Sequence, residues 1–192
     1  MSAYLTSPLV FLVKTAFELY LLAVLLRLVL QLVKADFYNP ICQFVVKITH
    51  PPLRLLRRFI PPVGRVDTAA VVLMLALKML GDYLVFWLQG GGAVAVGLLA
   101  GSAVVELVDL AFNVFLYAIV IQAILSWITP DPYHPLYSLL TDLVEPILHP
   151  CRRLIPPLGG LDLSPLVALI GLQVLKMLLI PPLQQLVAML AL

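Results

Sequence analysis

Charged residues recur inside stretches of the chain that are otherwise apolar. They comprise four bases and four acids: Lys14, Glu18, Arg27, Lys78, Asp82, Glu106, Asp109 and Lys176. Two of the lysines have an acid four residues later, a spacing that lets the two side chains pair on one helix face. Ionised groups in apolar segments are costly unless they face a partner or water. The pattern favours either ion pairs that join helices, with Arg27 extending to the surface, or a polar path for an ion or a proton.

The third apolar stretch carries the clearest polar stripe. Glu106, Asp109 and Asn113 fall on one side of a helix with 3.6 residues per turn. Such a stripe needs a partner, and Lys176, near the middle of the last apolar stretch, has the matching charge and depth. Contact with a second protein is a further alternative for these residues.

Composition identifies the class of protein. Of the 192 residues, 62% are apolar and 11% charged, whereas soluble domains have about 45–50% apolar and about 25% charged residues. A soluble domain and a disordered chain are therefore excluded, and a net charge of +2 gives no basis for nucleic-acid binding. A bilayer core needs about 20 apolar helical residues, which predicts four spans at 8–33, 68–88, 103–128 and 164–190. No basic segment or cleavage site accompanies the first span, so we expect it to be retained.

The chain contains an internal duplication. A shift of 95 residues superposes prolines, arginines, a glycine and aspartates without a gap. Copies 1–89 and 103–192 each comprise a span, a loop (34–67 or 129–163) and a second span. Because each copy has an even number of spans, we predict a parallel repeat about a pseudo-twofold axis along the membrane normal. The Gly/Ala-rich residues 90–102 are predicted to form an exoplasmic turn or a shallow re-entrant segment.

Orientation follows from the distribution of basic residues. Eight of the twelve lysines and arginines lie in the two loops. By the positive-inside rule, both loops are predicted to be cytoplasmic and both termini periplasmic or extracellular. The expected fold is an all-α membrane protein with four transmembrane helices, arranged as two parallel-repeat hairpins.

Each loop begins with a predicted amphipathic helix. Apolar residues recur at helical spacing from Leu136 to Leu148 and from Ile41 to Ile48. Asn39 is a candidate N-cap, followed by Pro40 at the first helical position. We expect each helix to lie in the cytoplasmic interface or to pack under the bundle. It would serve either as a membrane anchor or as a docking surface for a partner.

A bend follows each amphipathic helix. It contains an arginine pair, two prolines, a glycine and an aspartate: Arg57, Arg58, Pro61, Pro62, Gly64 and Asp67, and Arg152, Arg153, Pro156, Pro157, Gly159 and Asp162. The prolines end the helix and make the bend rigid, and the aspartates are expected to cap the next span. The arginines either attract anionic lipid headgroups by charge or grip a phosphate or carboxylate with their planar fork.

The second copy resembles a known family. Ser126-Trp127, Glu145-Pro146-Ile147 and the run from Pro150 to Leu166 are similar to the YggT family of small bacterial membrane proteins. The first copy is the weaker match, with Arg65 where the second has Gly160. The resemblance implies a bacterial inner-membrane protein with a role in osmotic adaptation or ion (potassium) homeostasis. As an alternative it implies a non-transporting scaffold or assembly factor for a membrane complex or cell division.

No catalytic motif is evident. The histidines (His50, His134, His149) lie in loops, and two cysteines (Cys42, Cys151) are too few for a disulfide framework. We therefore expect no enzymatic activity, no cofactor and no metal site. The expected partners are the lipid bilayer and anionic lipids at the arginine-rich loops, with a homo-oligomer or a membrane-protein partner left open.

Overall fold

Six helices make up the described part of the protein. The computed structural model describes residues 3–128, 134–154 and 162–189. The helices are α1 (Ala3–Leu32), α2 (Pro40–Leu56), α3 (Thr68–Leu88), α4 (Val96–Ile128), α5 (Pro135–Leu154) and α6 (Ser164–Met189). Of these, α1, α3, α4 and α6 are long and apolar enough to cross a membrane. The predicted all-α, multi-pass membrane protein with four spans is confirmed.

The spans form two hairpins that are joined in the middle. Helix α1 packs along α3, α4 packs along α6, and α3 contacts α4. Helix α2 lies against α1 and α3, α5 lies against α4 and α6, and α2 also contacts α5. We call the end of the bundle that carries α2 and α5 the loop end. In the described residues α1 and α6 make no contact as extensive as that of α3 with α4, so the two copies do not pack with full twofold symmetry.

The connection between the copies differs from the prediction. Helix α3 ends at Leu88 and α4 begins at Val96, so residues 89–95 connect them, and residues 96–102, which the prediction placed in the connection, are helical. Gly101 does not break α4 because it serves close packing instead: a Cβ added there would lie 2.9 Å from Cγ2 of Val187 in α6. At 1.5 Å per residue α4 is about 50 Å long. That exceeds a hydrocarbon core of about 30 Å, so α4 tilts or extends beyond it.

The starts of α2 and α5 are capped in the same way. Oδ1 of Asn39 accepts a hydrogen bond from the backbone N–H of Ile41 at 2.9 Å, which confirms the predicted cap. His134, 95 residues later, accepts one through Nδ1 from the backbone N–H two residues on, at 3.3 Å. Nδ2 of Asn39 also donates to the carbonyl oxygen of Pro135 at 2.6 Å. This bond joins the two caps, and with them the two copies.

One face of each loop helix is buried against the bundle. The buried residues are Cys42, Val45, Thr49 and Leu53 in α2, and Leu139, Leu140, Leu143, Val144 and Leu148 in α5. Most of them belong to one hydrophobic cluster that also contains residues of α1, α3, α4 and α6. The loop helices therefore hold the spans together at one end. Their location in a membrane interface stays a prediction.

Candidate functional site

A polar cavity lies among the four spans. It consists of two adjoining parts of about 290 and 490 Å³. Both parts are lined by Glu18, Lys78 and Glu106. The remaining polar residues of the lining are Lys14, Asp82, Gln89, Asp109, Asn113 and Gln184. Six of the eight charged residues that the sequence places within spans thus share one cavity, which we call the polar cavity.

Lys78 lies at the centre of the polar cavity. It stands midway along α3 and is 8% exposed. Its Nζ lies 2.8 Å from Oδ1 of Asp82, one turn away on α3, and it also pairs with Glu106 of α4. The predicted pairing within α3 is present. The ion pair with α4 connects the two copies across the α3–α4 contact.

Lys176 forms a second polar cluster between α4 and α6. Its Nζ lies 2.8 Å from Oδ1 of Asp109 and donates to Oδ1 of Asn113 at 2.7 Å. Nδ2 of Asn113 in turn donates to Oδ2 of Asp109 at 2.9 Å. Of the two partners predicted for Lys176, the structure brings it to Asp109. Glu106 is held by Lys78 instead.

The polar cavity contains more acid than base. Lys14 and Glu18 approach to 3.7 Å, and both side chains are more than half exposed. Together with the clusters around Lys78 and Lys176, this pair brings three lysines close to four carboxylates. Their formal charge is −1 when all are ionised. In addition, Oδ2 of Asp82 is buried and has no hydrogen-bond partner among the described residues. The unbalanced negative charge therefore lies near Lys78.

The two bends are closed by equivalent ion pairs. Nη2 and Nε of Arg57 donate to Oδ2 of Asp67, at 2.5 and 3.2 Å. In the second copy, Nε of Arg152 donates to Oδ2 of Asp162 at 3.1 Å, and its Nη1 donates to Glu145 at 2.8 Å. We call these pairs the first and second clamps. Each ties the end of a loop helix to the start of the next span.

The clamps separate the roles of the paired arginines. Arg57 and Arg152 bind carboxylates within the chain, whereas Arg58 and Arg153 make no hydrogen bond or ion pair with the described residues. The sequence pattern did not distinguish the two members of each pair. Pro156, Pro157 and Gly159, which the sequence analysis assigned to the second bend, lie outside the described residues.

The predicted capping by the two aspartates holds in one copy only. Oδ1 of Asp162 accepts from the backbone N–H of Ser164, the first residue of α6, at 2.9 Å. Asp67 makes no side-chain hydrogen bond to the start of α3, because its carboxylate is turned to Arg57. In the first bend, Thr68 Oγ1 donates to the carbonyl oxygen of Pro61, and Gly64 has φ +61. These features make the first bend a fixed turn, as predicted.

Hydrogen bonding controls ionisation in the second clamp. Partial burial by itself would raise the pKa of Asp162, but the hydrogen bonds from Ser164 and Arg152 outweigh it, and the pKa is lowered. Burial would lower the pKa of Arg152, but its bonds to Glu145 and Asp162 raise it. Both groups therefore stay charged at neutral pH. In α2, burial raises the pKa of the Cys42 thiol.

Arg27 was expected to extend to the surface, but it is buried. It is 7% exposed, and its Nη1 donates to Oγ1 of Thr49 at 3.0 Å and to the carbonyl oxygen of Val46 at 3.3 Å. The burial of this arginine against α2 was missed. A signal was present, because the equivalent residue of the second copy is Gln122, which is polar and is also buried.

Metal ligands do not converge in the described part of the chain, where no three His, Cys, Asp or Glu side chains form a group that could hold an ion. Three arrangements of the described residues are thus candidates for function: the polar cavity, the two clamps and the buried Arg27.

Comparison with known proteins agrees with the duplicated architecture. The CCB3/YggT family model matches residues 6–88 and 101–183. An uncharacterised protein of Pseudomonas aeruginosa is 42% identical over 178 residues, which cover 92% of this chain and 90% of the relative. The uncharacterised protein YggT of Escherichia coli K12 is 35% identical over 180 residues, 89% of this chain and 88% of the relative. A chloroplastic YlmG homologue of Arabidopsis thaliana is 38% identical over 60 residues, 31% of this chain and 24% of its own length. No solved structure matches. With two family matches that together span most of its length, the chain belongs to the CCB3/YggT family.

Proposed function

We propose that the protein handles a monovalent cation or a proton in the polar cavity, and through it acts in osmotic adaptation or potassium homeostasis. One observation carries the proposal: in the polar cavity and the Lys176 cluster beside it, three lysines face four carboxylates. This is a non-enzymatic role. The choice of potassium rests on the family resemblance alone. The bacterial relatives named above are uncharacterised and do not support it.

The physical argument rests on the cost of unbalanced charge. An ionised carboxylate that loses its hydration without a partner is strongly disfavoured. Lys78 can neutralise only one of its two carboxylates, Asp82 and Glu106. Uptake of a proton or a monovalent cation balances the other. The larger part of the polar cavity, about 490 Å³, has room for such an ion with several waters, at about 30 Å³ for each water.

Flux into liposomes tests this proposal. The full chain is reconstituted into vesicles loaded with a potassium-sensitive or a pH-sensitive dye, and an ion gradient is applied. We expect wild-type flux, which Glu106→Gln and Asp82→Asn reduce at least tenfold. Asp142→Asn in α5 is the matched control, because it removes the same charge outside the spans, and it should keep wild-type flux. Absence of flux in the wild type, or equal loss in the control, would contradict the proposal.

The location and orientation form part of the same proposal. We place the protein in the bacterial inner membrane with the loop end in the cytoplasm, because the basic residues concentrate there. Single cysteines at positions 58, 91 and 153 are introduced after the native cysteines have been replaced. Impermeant reagents should label 58 and 153 from the cytoplasm and 91 from the outside. Labelling of 58 and 153 from opposite sides would refute the parallel orientation.

A scaffold role is the second candidate, and the surface of the first loop favours it. Tyr38, Phe44 and Phe59 are 89%, 62% and 82% exposed, and the basic residues Lys47 and Arg54 lie on the same loop and are exposed. Aromatic and basic side chains together suit anionic lipid or a membrane-protein partner, the second copy of a homo-oligomer included. A scaffold conducts nothing, so the flux assay separates the two candidates.

A further inference from the structure

A second cavity lies at the loop end of the first copy, away from the polar cavity. It has a volume of about 510 Å³ and lies where α1, α2 and the first bend meet. Its polar lining consists of Arg27, Gln31, Arg57 and Asp67. We call it the arginine cavity. It shares no lining residue with the polar cavity, so its role can be tested independently of ion handling.

Arg27 is a buried cation without an anion of its own. Its Nη1 is bonded to two uncharged oxygen atoms, while Nε and Nη2 make no hydrogen bond with the described residues. Among the described residues, Asp67 is the one carboxylate that lines the arginine cavity, and Arg57 already binds it. Two guanidinium groups against one carboxylate give a formal charge of +1. A buried charge without a counter-charge is unfavourable, so an anion would stabilise this arrangement.

We propose that the arginine cavity binds a phosphate group. A guanidinium presents several N–H donors in a planar fork, a geometry that matches phosphate oxygens. Arg27 is already oriented by its bonds to α2, and therefore loses little freedom when the phosphate binds. Gln31, one turn further along α1, adds an amide donor to the same cavity.

An adjoining groove identifies a phospholipid headgroup as the source of the phosphate. The groove has a volume of about 460 Å³, is mostly apolar, and shares Phe37 and Val46 with the arginine cavity. Lys47 and His50 also line it. An acyl chain fits this apolar surface beside the phosphate, whereas a free phosphate ion leaves it uncovered. The position at an end of the spans is also where lipid headgroups lie.

The second copy lacks the same arrangement and thus provides an internal control. Gln122 and Val144 occupy the positions of Arg27 and Thr49, although the second clamp is formed. The buried cation and the hydroxyl that orients it are both missing there. The chain should therefore bind one lipid at this type of site, in the first copy only.

The test uses the full-length protein purified in a nonionic detergent without phosphate. Native mass spectrometry counts the retained lipid after addition of dioleoylphosphatidylglycerol, with dioleoylglycerol as the lipid that lacks a phosphate. A second arm compares thermal stability in sodium phosphate and in sodium chloride at equal ionic strength. Arg27→Gln introduces the residue of the second copy. Arg58→Gln makes the same charge change at an exposed position outside the arginine cavity.

We expect one tightly retained phosphatidylglycerol per chain, no retained dioleoylglycerol, and binding weakened about tenfold to a hundredfold in Arg27→Gln, as expected for loss of charged hydrogen bonds. Arg58→Gln should bind like the wild type. Stabilisation by phosphate but not by the phospholipid would support the phosphate site while assigning it to a free anion. If neither probe binds to the wild type, or if Arg58→Gln weakens binding as much as Arg27→Gln, the proposal is overturned. Should Arg27→Gln fail to fold, Thr49→Val keeps the charge but removes a bond that orients Arg27, and unchanged lipid binding in it would also overturn the proposal.

Discussion

The two clamps offer a matched experiment on the same ion pair in two environments. We predict that Arg57→Ala destabilises the protein far more than Arg152→Ala. Asp67 is 4% exposed at its side chain, whereas Asp162 and Glu145 are 45% and 41% exposed. Loss of Arg57 leaves a buried carboxylate without its counter-charge, and loss of Arg152 leaves carboxylates that water can hydrate.

The expected losses of folding stability follow from the burial of each ion pair. Breaking a buried pair costs about 3–5 kcal/mol, and we expect about 3 kcal/mol for Arg57→Ala, because Arg27 in the same cavity offsets part of the charge on Asp67. Exposed pairs contribute about 0–1 kcal/mol, the range expected for Arg152→Ala. One kcal/mol corresponds to about 2–4 °C for a chain of this length. The unfolding midpoint should therefore fall by about 6–12 °C in the first variant and by less than about 4 °C in the second.

The assay is thermal unfolding of the detergent-purified protein in chloride buffer, followed by circular dichroism at one scan rate. For Asp67→Asn we expect an intermediate fall in the unfolding midpoint. The side chain of Arg57 is 35% exposed and can regain hydration when its partner becomes neutral. The expected order of loss is Arg57→Ala, then Asp67→Asn, then Arg152→Ala. Equal shifts in the two arginine variants, or a larger shift in Arg152→Ala, would refute the assignment of stability to burial.

Acid should open the second clamp in a defined range of pH. Because the pKa of Asp162 is lowered in the folded state, this carboxylate stabilises the fold above its unfolded pKa of about 3.9. That contribution is lost as the pH falls through the lower, folded-state pKa. In Asp162→Asn this part of the acid dependence should be absent, as measured by the unfolding midpoint between pH 6 and pH 3.

Three further predictions concern the spans and the loop helices. Lys176→Gln should lower the unfolding midpoint, since it leaves Asp109 without its counter-charge among the apolar spans, and adding Asp109→Asn should recover part of the loss; normal stability of the single variant would count against the pairing. Maleimide should modify Cys151 faster than Cys42, because Cys42 is fully buried and burial raises its pKa, and equal rates would contradict this packing. Gly101→Leu should destabilise the α4–α6 hairpin by about 1–3 kcal/mol through overpacking, which loss of folded protein in the membrane would report and wild-type abundance would refute.

Periodicity and composition predicted the spans because a bilayer imposes a length and an apolarity that few other structures require. The helical spacing of apolar residues in the two loops predicted a helix in each, and α2 and α5 lie there, whereas their placement in a membrane interface stays a prediction. The connection between the copies was assigned less accurately. A glycine in an apolar segment either interrupts a helix or allows a close helix contact, and only the tertiary structure shows that Gly101 faces Val187.

The ion pairs could also be predicted only in part from the sequence. Pairing of Lys78 with Asp82 follows from their spacing on one helix, and it was predicted. Which acid Lys176 contacts depends on the rotation of α4 against α6, which no local pattern encodes. Likewise, the depth of Arg27 in α1 suggested that it reaches the surface, but α2 covers that position and supplies its hydrogen-bond acceptors.

The duplication itself is a guide to which residues are structural. The arginines and aspartates of the bends are retained in both copies, and in both the first arginine of the pair and the aspartate bind each other. A contact that stabilises a hairpin is needed twice, once in each copy. A site that the molecule needs once is free to survive in one copy and be lost from the other, as with Arg27 and Gln122. The residues that differ between the copies, those of the polar cavity included, are therefore the better place to look for function.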